Sequence, residues 1–191
     1  MTNALSYSLI SNELSGHGRG PIGHTDAKRY LRHTHPMLGV DRILDHDFEQ
    51  GWVHAVRAVS CSHPAFEGHF EDAAIYPGTT LCQDTIQLCI LLFVGATGPL
   101  QGEGENQEMT AVSSLNVAMG HPVPPGCLLD VAVWRTAGKE RRSMSFGFEA
   151  RLRDFPYYTT PNGMGVTFRA ALTGEAELIR VKRKIYRGIG F

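Results

Sequence analysis

The stretch from Thr79 to Val94 contains neither proline nor glycine and is longer than an ordinary strand, so it reads as one helix. Apolar residues surround its axis, and a helix that is apolar all round must be enclosed by other elements. Gly95, Gly98 and Pro99 are expected to stop it. The longest apolar run, Leu88 to Ala96, is about half the ~20 residues that a membrane span needs, so it reads as core.

Strands supply the enclosure. Ahead of the helix, HPMLGVDRIL, DHDFEQGW and VHAVRAVS read as strand, turn and strand, with β-branched and small residues from Val53 to Val59. Beyond the polar GPLQGEGENQE loop, strand patterns recur in MTAVSSLNVAMG, CLLDVAVWRTAG, RSMSFGFEARLR and GVTFRAALTGEAELIRVKR. The PYYTTPNGMG break reads as an extended hairpin loop. Earlier, Asp26 is expected to cap a short helix running through Tyr30 and Leu31, which Pro36 ends.

One long apolar helix beside five or six strands predicts an α+β hot-dog fold, in which a curved antiparallel sheet wraps a central helix. Such a sheet has free edges, so pairing with a second copy or a related chain is expected. With 191 residues, 42% of them hydrophobic, the chain suits a single domain, here residues 26–191. Residues 1–25 include GHGRGPIGH, which has no helical or strand period, and are expected to form a flexible arm.

Charge excludes some partners. The 18 basic and 19 acidic residues nearly cancel, leaving no basic field for nucleic acid or an anionic membrane. The four cysteines form no C-x-x-C pair, and no cationic leader with an apolar stretch precedes the first charges, so a reduced, cytoplasmic setting is expected. A metal site built from Cys61, His63 and His69 lacks a fourth ligand at a known spacing, so neither metal nor cofactor is expected.

The most informative stretch is HPAFEGHFEDAAIYPGTTLCQDTIQ, which sets His69 ahead of a Pro-Gly pair that opens the helix. Together with HTHPMLGVDRIL, HPVPPG and GEAEL, it resembles the 3-hydroxyacyl-ACP dehydratase family of fatty-acid and polyketide synthesis, over about Ala27 to Lys184. The resemblance implies that His69 is the base. A glutamate or aspartate, five residues after the Pro-Gly glycine, would work with it from the neighbouring subunit. That position is Gln83, and the family glutamine that follows is Gln87. The spacing is intact but the carboxylate is missing.

Dehydration needs a base for the C2 proton, a donor for the departing C3 hydroxyl, and a dipole for the thioester oxygen. Imidazole titrates near neutrality and suits the first task. Gly78 can offer its amide, with the helix dipole behind it, for the third. Gln83 can position a hydroxyl, but its amide does not titrate in the useful range. The neighbouring carboxylate, Asp84, lies about 100° further round the helix and should point elsewhere, unless the helix start is shifted by one residue, in which case Asp84 replaces the missing acid. The vacancy predicts a subunit that acts on acyl-ACP with a related, carboxylate-bearing hot-dog partner.

Two other functions fit the same residues: a non-catalytic subunit of a heteromeric dehydratase, or an acyl thioesterase using Asp84 or a water held by Gln83. Tyr76 is expected at the wall of the acyl tunnel and Gln87 at the substrate, while each also suits a packing role. His63 is expected to organise its loop, and His33 and His35 to pack. Arg141, Arg142, Arg151, Arg153 and the Arg180 to Arg187 cluster are candidates for meeting an acidic carrier protein.

Overall fold

The computed structural model describes residues 4–34, 36–70, 74–153 and 170–187. In chain order these hold α1 (Tyr7–Leu9), which stays helical through Leu14, then α2 (His24–Ala27), β1 (Arg42–Asp47) and β2 (Trp52–Val59). The long helix α3 (Gly78–Thr97) follows, and then β3 (Glu108–Met119), β4 (Cys127–Ala137), β5 (Ser143–Leu152), β6 (Ala170–Lys182) and α4 (Lys184–Arg187). The strands form one antiparallel six-stranded sheet in the order β1-β2-β4-β5-β6-β3. Helix α3 packs against β2 to β6, giving the α+β hot-dog fold.

Two periodicities build this core. Along β5, Met144, Phe146, Phe148, Ala150 and Leu152 are buried at every second position, as one sheet face requires. On α3, burial runs round most of the axis, including Leu81, Leu88, Cys89, Leu91, Leu92 and Phe93. Phe93 meets Phe146 edge-on, with ring centroids 6.2 Å apart. Although α3 has the length and apolarity of a membrane span, 67% of its most apolar window is buried inside the protein.

The helix runs past its expected stop. Gly95 stays inside it, because the ring of Phe48, from the β1–β2 turn, occupies the space a Cβ would need. The end comes at Gly98, where two arginines cover the orphan carbonyls. Arg141 donates to Thr97 O (2.8 Å) and Pro99 O (2.7 Å), and Arg180 to Gly98 O (2.6 Å). Positive charge there also complements the helix dipole. Both side chains share Glu108, so two expected carrier-facing arginines serve the helix end.

Strand β1 starts later than HPMLGVDRIL suggested, at Arg42, because Gln87 takes up the Met37 carbonyl and the Gly39 amide that a strand would pair. Helix α2 follows Gly23, with Asp26 inside it and paired to Arg29 at 3.2 Å, and it ends before Tyr30. The PYYTTPNGMG segment and His35 lie outside the described residues.

Residues 5–14 pack on the outer face of β2 and β4, and residues 16–22 pass beside β1. Ile10 is fully buried against Trp52 and Ala132. The amides of Gly16, Gly18 and Gly20 converge on the Asp45 carboxylate at 2.7–2.9 Å. Burial alone would raise the Asp45 pKa, but these amides and that of His46 hold it below the usual range. Further along, His54 bridges Ser15 and Asp130, each at 2.7 Å, and Tyr7 donates to the same Asp130 oxygen at 2.9 Å. Among the other arginine candidates, Arg151 pairs with Glu149 and stacks over Tyr7, and Arg153 lies 3.8 Å from Asp130.

Candidate active site

His69, the helix start and the helix polar face come from different parts of the fold. His69 sits half-buried in the loop between β2 and α3, and its Nδ1 lies 2.9 Å from Ile75 O. A carbonyl can only accept, so Nδ1 carries the proton and Nε2 of the neutral ring keeps its lone pair. That is the tautomer a base needs. His63 shapes the same loop: its Nδ1 accepts from Ala65 N at 3.1 Å, and its ring meets Tyr76 edge-on.

Tyr76 N donates to Val123 O at 2.7 Å, which anchors the chain just ahead of α3. Gly78 then opens the helix, where first-turn amides lack partners within the helix. Met119, at the end of the edge strand β3, lies beside Gly78 with its side chain largely exposed.

Gln83 and Gln87 share a face one turn apart and both reach the Met37 carbonyl. Gln83 Nε2 does so at 3.5 Å, and Gln87 Nε2 at 2.6 Å while its oxygen accepts from Gly39 N at 3.0 Å. Gln87 is thus a satisfied buried amide that clamps residues 37–39 to α3, and Gln83 is held loosely beside it. An open cavity of about 560 Å³ lies next to this face, lined by Met37, Arg57, His63, Thr80, Gln83 and Asp84 among others. His69 is not among the residues that line that cavity, so one chain does not bring His69 and Gln83 to a common space.

Asp84 turns away from the glutamine face. Its Oδ2 accepts from Arg57 Nε at 2.9 Å and from the Tyr76 hydroxyl at 2.8 Å, and Arg57 also reaches Asp41 at 2.9 Å. The carboxylate fills the space where a Cβ on Gly39 would lie, so that position needs glycine. Tyr76 is only 2% exposed. Its hydroxyl belongs to this network, and burial beside Asp84 pushes it up to about 12. Arg57 was not foreseen as part of the site; its only signal was a cation in an otherwise apolar strand.

Burial raises the Asp84 carboxyl to about 6, against the opposing pull of Arg57 and the Tyr76 hydroxyl. For Arg57, burial alone would lower the guanidinium pKa, and Asp84, Tyr76 and Asp41 more than reverse that. Because the Asp84 value is higher folded than unfolded, its stability contribution is complete below about pH 4 and lost as pH rises through about 6. Urea midpoints from pH 4 to 7, compared between the protein and Asp84→Asn, should show this decline in the first and not in the second. A parallel pair of profiles would contradict the assignment.

Among the described residues no group of three or more His, Cys, Asp or Glu side chains is placed to hold a metal ion. The described geometry offers acid–base groups and a helix start.

Known proteins resemble this chain in sequence and in fold. A FabA-like domain matches residues 31–152. Coronafacic acid dehydratase of Pseudomonas savastanoi pv. glycinea is 34% identical over 145 residues, covering 75% of this chain and 82% of that protein. The 3-hydroxyacyl-acyl-carrier-protein dehydratase FabZ of Colwellia psychrerythraea is 33% identical over 133 residues, covering 69% and 85%. In fold, the dehydratase heterocomplex ApeI:P from Xenorhabdus doucetiae superposes with a TM-score of 0.60 at 15% identity, over 86% of this chain and 97% of the other. With the matched domain spanning most of the chain from Leu31 to Leu152, including the base loop and all of α3, this protein belongs to the FabA-like family.

Proposed function

We propose that this chain is one subunit of a dehydratase acting on 3-hydroxyacyl-ACP thioesters in fatty-acid or polyketide synthesis, and that its acid is supplied by a related hot-dog subunit. Nε2 of His69 takes the C2 proton, and the Gly78 amide at the start of α3 steadies the thioester oxygen. The departing C3 hydroxyl takes its proton from the carboxylic acid of the related subunit, a proton that the Gln83 amide could not give. The observation that carries the reading is the pairing of His69, whose Nδ1 faces the Ile75 carbonyl, with an amide at the acid position.

The free edge of β3 supports a partner. Val112, Leu115 and Met119 stand 44%, 45% and 55% exposed there, and an apolar edge strand is ready to pair. Met119 also touches Gly78, so a chain docked on β3 would reach the start of α3. With such a partner, His69 here faces the partner's carboxylate and Gln83 sits in a second, disabled pocket.

Product analysis tests the proposal. The purified chain alone should form little enoyl thioester from a 3-hydroxyacyl-ACP, and the native complex should form it readily. Brisk turnover by the chain alone would sink partner dependence, and free acid would favour a thioesterase. Asp84 is already engaged by Arg57 and Tyr76, which argues against its attacking a thioester. If His69 proved dispensable in the complex, the chain would be a stabilising, non-catalytic subunit.

A further inference from the structure

One peptide group orients His69, and that group is fixed from both sides. The carbonyl of Ile75 lies 2.9 Å from His69 Nδ1. In the same planar unit the amide of Tyr76 points the opposite way and donates to Val123 O at 2.7 Å. A turn of that plane would move the acceptor that faces the His69 ring. The unit can turn only about its bonds to the flanking α-carbons, so fixing the Tyr76 side chain limits the turn.

Tyr76 is held along its whole length. Its ring meets that of His63 edge-on with centroids 5.2 Å apart, and the Phe66 ring lies 5.9 Å away, so it touches the loop that leads to His69. Beyond the ring, the hydroxyl donates to Asp84 Oδ2 at 2.8 Å and accepts from Arg57 Nη2 at 3.3 Å. Arg57 Nε braces the same carboxylate oxygen at 2.9 Å, while Nη1 reaches Asp41, which in turn accepts from Ala58 N at 2.8 Å. A phenylalanine would fill the same space without the cost of burying a hydroxyl, a carboxylate and a guanidinium together. What the polar cluster adds is a fixed position.

We infer that Tyr76 is a positioning residue for His69: Asp84 and Arg57 pin its hydroxyl, and through the Ile75–Tyr76 peptide the pin sets the direction of the imidazole and which nitrogen carries the proton. The inference rests on the dehydratase reading for the part His69 plays as base. Asp84 then acts on the reaction at one remove, across Tyr76. The amide at position 83 and the carboxylate at position 84, neighbours in sequence, serve different faces of α3 and different tasks.

The test reads the ring as well as the rate. The native complex, with this chain isotope-labelled at its histidines, is followed by imidazole NMR, and His69→Asn identifies the His69 signals. The wild type should show the neutral ring with its proton on Nδ1. Tyr76→Phe keeps the ring contacts and the bond to Val123, and it leaves Asp84 paired with Arg57, so the fold has the means to survive. It should give a mixture of the two neutral tautomers, and kcat for enoyl formation should fall about 10–100-fold with KM within about twofold. Asp84→Asn should lower kcat in the wild type and within about twofold not at all in Tyr76→Phe, the sign of one shared route. Val133→Ala, a truncation in the core of β4, should lower the urea midpoint and leave both tautomer and kcat in place. An unmoved tautomer in Tyr76→Phe, a moved tautomer with kcat unchanged, fully additive losses in the double variant, or the same tautomer shift in Val133→Ala would overturn the inference. A moved tautomer in a complex whose wild type forms no enoyl thioester would leave the positioning standing and sink the dehydratase reading.

Discussion

Replacing Gln83 by glutamate should turn the isolated chain into a working dehydratase, raising enoyl-thioester formation by about 10²–10⁴-fold. The substitution restores a titrating group where the amide now points at Met37 O from 3.5 Å, and it changes side-chain volume hardly at all. Supplying general-acid assistance removes roughly 3–5 kcal/mol from the barrier to loss of the C3 hydroxyl. In a pair of identical chains both pockets would gain an acid, so the effect should appear in kcat of the purified protein without any partner. In the native complex the same variant should at most double the rate, since one pocket already has its carboxylate. No gain in the isolated chain would mean that the proton reaches the hydroxyl from somewhere other than position 83.

His69→Asn should have an effect of similar size and opposite sign, a fall of about 10²–10⁴ in kcat of the native complex. Asparagine keeps an N–H where Nδ1 now donates to Ile75 O, so the loop geometry has a means to survive, but it leaves no basic nitrogen in place of Nε2. A loss confined to kcat, with KM little changed, would mark an interaction made in the transition state. Deuterium uptake at C2 gives a second readout: it should vanish with the base. Retention of C2 exchange in His69→Asn would remove His69 from the reaction.

The two outcomes together locate the function in the relation between chains. If Gln83→Glu revives the isolated protein and His69→Asn silences the complex, the chain contributes a base and receives an acid.

Much of this was readable from residues near one another in sequence. The long helix was legible because an uninterrupted apolar run beyond strand length has few other solutions, and the later strands because Val, Phe and Leu alternate with polar residues. The candidates His69 and Gln83 came from spacing around one Pro-Gly pair. What stayed hidden depended on contacts across the fold. Gly95 looked like a stop until Phe48, from a turn far upstream, proved to need its missing side chain. The start of β1 was misplaced because Gln87, some fifty residues later, claims the backbone of residues 37–39. Arg57 drew no reading from the sequence, and only the folded chain brings Asp41, Asp84 and Tyr76 around it. The GHGRG run had no period to read because its order comes from one carboxylate, Asp45, gathering three amides.

The sheet order has a consequence in time. Among the described residues strand β3 pairs only with β6, although β4 and β5 lie between them in sequence. A ribosome adding ~5–20 residues per second leaves the nascent β3 without its neighbour for some seconds after it emerges. Throughout that delay its far edge offers Val112, Leu115 and Met119 to any strand nearby. A second chain made close by can use that interval to pair, and an excess of this chain made alone is the condition under which misassembly should be worst.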